Sequence, residues 1–222
     1  AGRKYNYDFE VEFIKDQKTI QKSCLEFKYN AQRVSDCPQY VSPMKPSQYM
    51  SQSYEKFYYQ KYLPKLCQFL EVEIPSLETY LKEIHSPSSK SLKILQDTYY
   101  QGCPSSSKYT ADPRDIEFYN LSLKQSKASI TAFLSLDTKE NPLLDICLLN
   151  NYLLDTQKNK EYMLYYQGDF YYDKPDLDHF KITSYTTKGP YFICQTKSQR
   201  QMKILLRWKN GNGIAFPAFQ IS

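Results

Sequence analysis

The chain has 222 residues, of which 41% are hydrophobic and 16% aromatic, with 22 Tyr and 12 Phe. Its mean hydropathy is −0.65, and no segment approaches the roughly 18 consecutive apolar residues that a membrane-spanning helix needs. The aromatic content argues against a disordered chain, because such chains lack apolar surface to bury. The net charge of +5 comes mainly from lysine, whereas nucleic-acid interfaces rely on arginine and on dense basic patches. Composition therefore indicates a globular protein without a membrane span, and it does not favour nucleic acid as a partner.

The N-terminal segment shows strict apolar alternation. Every second residue is aromatic or β-branched: Tyr5, Tyr7, Phe9, Val11 and Phe13. Alternation of this kind predicts a half-buried β-strand. The polar residues 15–18 then turn the chain, and the alternation returns at 25–29. Residues 5–30 are therefore predicted to form a β-hairpin.

The middle of the chain changes to helical spacing. Residues 53–70 carry an aromatic stripe at i, i+3 and i+4 positions, and Pro64 is expected to kink or split this helix. A second helix is predicted with Ser76 as its N-cap, and 90–100 is a candidate for a third, shorter helix. We therefore predict a helical insertion over 50–101.

From residue 114 onward, alternating apolar runs are separated by turn signals such as Gly189-Pro190 and the Asn-Gly pairs after Trp208. Eight strands are predicted, at 115–123, 128–137, 144–154, 161–167, 179–187, 190–196, 201–208 and 214–220. Short strands at this spacing are typical of an antiparallel meander, closed as a barrel or folded as a sandwich. The predicted fold class is a β-dominated α+β domain over 1–222, with the meander at 114–220.

One segment of the predicted meander carries a family resemblance. Residues 161–171 read Glu-Tyr-Met-Leu-Tyr-Tyr-Gln-Gly-Asp-Phe-Tyr, and with a one-residue gap they resemble a strand-turn-strand segment of lipocalins. The resemblance is to the lipocalin domain of the violaxanthin de-epoxidase type, and it implies a meander barrel. The Gly-x-Trp signature of lipocalins is absent, since Trp208 is the only Trp. No catalytic residue is carried over from that family.

Six widely spaced cysteines suit an oxidising compartment. Nearest-neighbour pairing would give Cys24–Cys37, Cys67–Cys103 and Cys147–Cys194, although six cysteines allow 15 pairings. We predict a secreted or organelle-lumenal protein with disulfide bonds, with the mitochondrial intermembrane space as another such compartment. The alternative is six reduced, buried thiols in a cytosolic protein. Asn120-Leu121-Ser122 is a sequon for N-glycosylation.

Signatures of catalysis and of metal binding are weak. Asp176-Leu177-Asp178-His179 offers two carboxylates and an imidazole, but a polar loop before a strand explains it better. Gly211-Asn212-Gly213 precedes a β-like run rather than a helix, so a hairpin turn is favoured over a phosphate loop. Nucleophile-elbow and zinc-protease motifs are absent from the sequence. We therefore predict no enzyme activity, no metal and no cofactor.

Two functional hypotheses remain open. The first is a non-enzymatic carrier that holds a small apolar or amphipathic ligand inside a β-barrel. Its predicted ligand-binding residues alternate along one stretch: Tyr162, Leu164, Tyr166, Phe170 and Tyr172. The second is an interaction protein, a surface, matrix or complex subunit that docks on a partner through the helix 53–70. Its predicted contacts belong to the aromatic stripe: Tyr54, Phe57, Tyr58 and Tyr62. The same stripe would equally suit a helix face packed on the sheet, or a stacking surface for sugars or bases.

Overall fold

The computed structural model describes residues 7–29, 45–85, 112–157, 160–166, 168–211 and 214–222. These residues form five α-helices and two four-stranded sheets. The predicted α+β class is therefore confirmed. The predicted helix at 90–100, together with Cys37 and Cys103, lies outside the described residues.

Sheet 1 joins the N-terminal hairpin to two later strands. It contains β1 (Phe9–Lys15), β2 (Lys18–Tyr29), β3 (Tyr162–Tyr166) and β4 (Phe170–Asp173), in that spatial order. β2 pairs with β3 in parallel, and the other pairs are antiparallel. The predicted hairpin is confirmed. Its turn is Asp16-Gln17, where both residues have positive φ, 51° and 61°, as in the two-residue turns that match the twist of paired strands.

The burial predicted for β1 is wrong. Phe9, Val11 and Phe13 are 52%, 39% and 51% exposed, although they alternate as the sequence predicted. None of the sheet 1 side chains that the structure describes belongs to the apolar core. Alternation therefore predicted the strand correctly, but it could not say whether another element would cover the apolar face.

Helical spacing in the middle of the chain gives three helices, α1 (Tyr54–Lys61), α2 (Leu63–Leu70) and α3 (Leu77–Glu83). The predicted break at Pro64 is confirmed, because Pro64 lies in the first turn of α2, where its missing N–H does no harm. Ser76 caps α3 as predicted, accepting a hydrogen bond from the Thr79 amide at 3.2 Å.

Two helices replace three predicted strands. α4 (Pro113–Leu134) covers the predicted strands 115–123 and 128–137, and α5 (Ile146–Gln157) covers the predicted strand 144–154. The carboxylates that precede them act as N-caps. Asp112 accepts from the Asp115 amide at 2.8 Å, and Asp145 accepts from the Leu148 amide at 2.9 Å.

Polar residues on the buried face of α4 explain the error. Gln125 and Ser129 are buried between Phe118 and Phe133. These two polar residues interrupt the apolar spacing of 3.6 residues that is typical of a helix. The alternation of apolar residues from Ile130 onward therefore predicted a strand. Hydroxyl and amide groups are buried in this way only when they find hydrogen-bond partners.

Sheet 2 is an antiparallel meander in chain order. It consists of β5 (Ile182–Lys188), β6 (Tyr191–Thr196), β7 (Gln201–Gly211) and β8 (Ile214–Ile221), preceded by a short 3-10 helix, Leu177–Phe180. The four corresponding predicted strands are confirmed to within a few residues. The predicted eight-strand meander is thus reduced to four strands. In each sheet the described strands follow one another in a linear order, and no closed barrel is found among the described residues.

The helices pack on sheet 2 through a cluster of aromatic side chains. The Tyr54 hydroxyl lies 2.8 Å from Ser129 Oγ and accepts a hydrogen bond from Trp208 Nε1, also at 2.8 Å. The Tyr58 ring centroid is 4.6 Å from that of Trp208, and the Tyr54 centroid is 5.3 Å from that of Phe133. α1, α4 and β7 are therefore held together by one buried hydroxyl and the rings around it.

A second polar contact attaches α5 to the same sheet. The Asn150 side chain donates to the Ile182 carbonyl and accepts from the Ile182 amide, both at 2.8 Å. This paired contact ends the turn before β5 and fixes the start of the sheet against the helix.

None of the helices in the described ranges has the length and apolar character that crossing a membrane requires.

Replacing Tyr54 by Phe should lower the free energy of unfolding by about 1–3 kcal/mol, because Ser129 and Trp208 then lose a buried hydrogen-bond partner. Urea denaturation followed by circular dichroism measures this change. Tyr119→Phe, on the partly exposed side of α4, is the control and should stay within about 0.5 kcal/mol of the parent. Equal effects of the two substitutions would contradict a structural role for the Tyr54 hydroxyl.

Candidate ligand-binding cleft

An open cleft of about 350 Å³ lies where sheet 1 joins the rest of the chain. Its walls come from Gln157 at the end of α5, from residues 160–162 at the start of β3, and from Lys174, Pro175 and Leu177 after β4. The connections that enter β3 and leave β4 therefore both line it. The volume is at the lower end of the range for small-molecule sites.

A buried ion pair forms one side of the cleft. Lys160 Nζ lies 3.0 Å from Glu26 Oε2, and the two side chains are only 4% and 9% exposed. Lys160 lines the cleft, whereas Glu26 belongs to β2 behind it. Taking two charges out of water is costly even when they are paired, so a buried pair is weak evidence for stability alone.

Other lining residues combine apolar surface with a second cation. Lys174 Nζ lies 5.7 Å from the centroid of the Tyr162 ring, within the range of cation–π attraction. Pro175 and the 46% exposed Leu177 continue the apolar wall. The buried amide of Gln157 adds a polar group and donates to Thr156 Oγ1 at 3.0 Å. The cleft thus offers apolar surface beside cationic and amide groups.

The predicted ligand-binding residues lie in sheet 1, and Tyr162 is the one that lines the cleft. Leu164 and Tyr166 lie farther along β3 and are half-buried. Phe170 and Tyr172 belong to β4, where their backbones pair with Tyr166 and Leu164; their side chains lie outside the described part of the structure. The structure therefore places all five residues in the paired strands β3 and β4.

The aromatic stripe of the helical region belongs mostly to the core. Tyr54 and Tyr58 are fully buried, and burial raises the pKa of both hydroxyls well above its usual range. In this fold, neither can contact a partner. Phe57 and Tyr62 are half-buried and pack on each other, with ring centroids 5.9 Å apart. Partner contact through these two stays a prediction.

One predicted disulfide is wrong. Cys147 is exposed on α5, whereas Cys194 is fully buried in β6, and both are free thiols. Cys24 is half-buried and Cys67 buried; their predicted partners lie outside the described residues. Nearest-neighbour pairing failed because the predicted strand around Cys147 is a helix that directs this thiol to solvent.

Two further predicted features are placed by the structure. Asn120 is exposed on α4, and its glycosylation stays a prediction. Residues 176–179, predicted as a polar loop, instead belong to the short 3-10 helix Leu177–Phe180 and its N-cap Asp176. Asp176 accepts from the Asp178 amide at 2.9 Å, and Asp178 pairs with Lys197 at 3.0 Å.

Sequence reasoning missed the charged residues of the cleft. Lys160 and Lys174 are two of many lysines, and Glu26 lies on a strand far away in the chain. The parallel pairing of β2 with β3 brings Glu26 to Lys160, and no local spacing signals a pairing of this kind.

Comparison with known proteins adds no further information: no family model, no curated protein and no solved structure matches the chain.

The Lys160–Glu26 pair predicts a non-additive mutational effect. Lys160→Met leaves a buried carboxylate without its cation and should destabilise the protein by about 3–5 kcal/mol. The double variant Glu26→Leu/Lys160→Met removes both charges and should recover most of that loss. Urea denaturation of the single and double variants tests this expectation. A double variant less stable than Lys160→Met would contradict it.

The cysteines predict selective modification in the native state. Burial raises the pKa of the Cys194 thiol to about 12 and that of Cys67 to about 11, so both stay protonated at pH 8, while Cys147 is exposed. A thiol reagent at pH 8 should modify Cys147 at least about 100-fold faster than Cys194, as read by peptide mass spectrometry. Cys147→Ser should remove the fast modification of this peptide and leave the slow modification of the Cys194 peptide unchanged. Failure of both thiols to react even after denaturation would instead indicate a disulfide.

Proposed function

We propose that the chain is a non-enzymatic binding protein that takes a small amphipathic ligand in the cleft beside Tyr162. The observation that carries this proposal is the placement of apolar surface, from Tyr162, Pro175 and Leu177, next to Lys160 and Lys174 in one cleft. Small-molecule sites typically combine apolar walls with a few polar groups that orient the ligand.

The proposed ligand class is the one expected from the sequence, but the proposed binding site is the cleft and not a barrel interior. A barrel interior is not part of the proposal, because the described strands form two sheets without a closed barrel. No matching protein bears on the resemblance to lipocalins, and the proposal does not depend on it. A secreted or lumenal location is compatible with the proposal and stays a prediction from the cysteines. The alternative, docking through the helix 53–70, is less favoured because Tyr54 and Tyr58 are buried.

The position of the cleft also favours ligand binding over a purely structural role. Both covalent connections of the β3–β4 pair line the cleft. A bound ligand would therefore add contacts between these connections and the end of α5. Binding at such a junction should stabilise the folded protein in proportion to ligand occupancy.

A neutral fluorescent amphiphile, N-phenyl-1-naphthylamine, tests the proposal. We expect saturable binding of one molecule per chain with increased fluorescence. Leu177→Asp, a change at an exposed cleft position, should weaken binding about tenfold, since a partly buried leucine contact contributes roughly 1.4 kcal/mol.

The matched control is Leu148→Asp on α5. Leu148 is 48% exposed, close to the 46% of Leu177, but it does not line the cleft. This variant should bind the dye like the parent. Phe13→Ser serves as a second control, because it removes part of the exposed apolar face of β1, which could bind the dye on its own. Unsaturable binding, or equal losses in both aspartate variants, would refute the proposed site.

A further inference from the structure

We propose that the cleft selects amphiphiles that carry one anionic group, such as a carboxylate, a phosphate or a sulfonate. This inference rests on the proposed function and adds the chemical class of the ligand. Two lysines and one glutamate line the cleft, and the glutamate, Glu161, is exposed. The cations come from different segments, Lys160 from the start of β3 and Lys174 from the segment after β4.

Lys160 is part of a fixed ion pair. Its ammonium is held by Glu26 at 3.0 Å, and both side chains are nearly inaccessible to water. Lys160 is one of the residues that line the cleft, whereas Glu26 on β2 is not. Because the carboxylate of Glu26 compensates the charge of Lys160, the pair contributes a fixed dipole beside the cleft, and the attraction for an anionic group rests mainly on Lys174.

Lys174 places the second cation directly against apolar surface. Its ammonium lies over the face of the Tyr162 ring, 5.7 Å from the centroid. A ligand whose apolar part contacts Tyr162 or Leu177 would therefore bring an attached anionic group close to this ammonium. This adjacency of ring and cation favours an anionic amphiphile over a purely apolar molecule or a free inorganic anion.

Two dyes with the same ring system isolate the role of the charge. 8-Anilinonaphthalene-1-sulfonate carries a sulfonate on the ring system of N-phenyl-1-naphthylamine, which is neutral. We expect the full chain to bind the sulfonate at least about tenfold more tightly than the neutral dye. Raising the salt concentration from about 0.01 M to about 1 M should reduce this preference, because the screening length falls from about 30 Å to about 3 Å.

Variants of Lys174 test the cation directly, since this exposed residue can be replaced without leaving a buried charge. Lys174→Gln should weaken binding of the sulfonate about threefold to fivefold more than it weakens binding of the neutral dye. Lys174→Arg should keep the preference. Lys139→Gln, on the exposed loop after α4, is the matched control for the change in net charge and should bind both dyes like the parent.

The outcomes separate this inference from the proposed function. Equal affinities for the two dyes at a site sensitive to Leu177→Asp would overturn the anion preference and leave the proposed function standing. A preference for the sulfonate that neither Lys174→Gln nor a higher salt concentration reduces would also overturn the proposed anion selectivity. Absence of saturable binding of either dye would refute both proposals.

Discussion

The hydroxyl group of Tyr54 is the contact on which the packing of the helices against sheet 2 depends. It is fully buried and is satisfied from two sides, by Ser129 on α4 and by the Trp208 indole on β7. A buried hydroxyl without partners would be costly, so the three elements must meet in one arrangement. The aromatic rings around it supply apolar burial, while the two hydrogen bonds determine how the helices are oriented on the sheet.

Sheet 1 is held by different interactions. The side chains of its strands that the structure describes do not belong to the apolar core. β2 is joined to β3 by a parallel backbone ladder, which the Glu161 amide extends by donating to the Cys24 carbonyl at 3.0 Å. The buried pair of Glu26 and Lys160 adds a side-chain contact between the same two segments, and each charge tolerates burial only with its partner in place. The candidate cleft lies beside this pair, at the junction of sheet 1 with α5.

Local patterns predicted much of the secondary structure. Alternation identified the N-terminal hairpin and the four strands of sheet 2, and Pro64 and Ser76 marked helix boundaries correctly. The same patterns failed for α4, because the buried Ser129 and Gln125 are polar and hid the helical period. For the site, the sequence identified Tyr162 by its aromatic strand. It could not identify Lys160 or Lys174, since a lysine in a cleft and a lysine in solvent look alike in sequence.

The sequence by itself determined the N-terminal hairpin, the helical character of 54–83 and the four strands of sheet 2, because apolar period, caps and turn residues act over a few neighbouring positions. Only the tertiary structure decided which faces are buried. It placed Tyr54 in the core and left Phe9 and Phe13 exposed, although both sets show regular apolar spacing. It also brought Glu26 to Lys160 through a parallel strand pair. The physical reason is that burial and ion pairing depend on which distant segments meet, and local spacing carries no information about that choice.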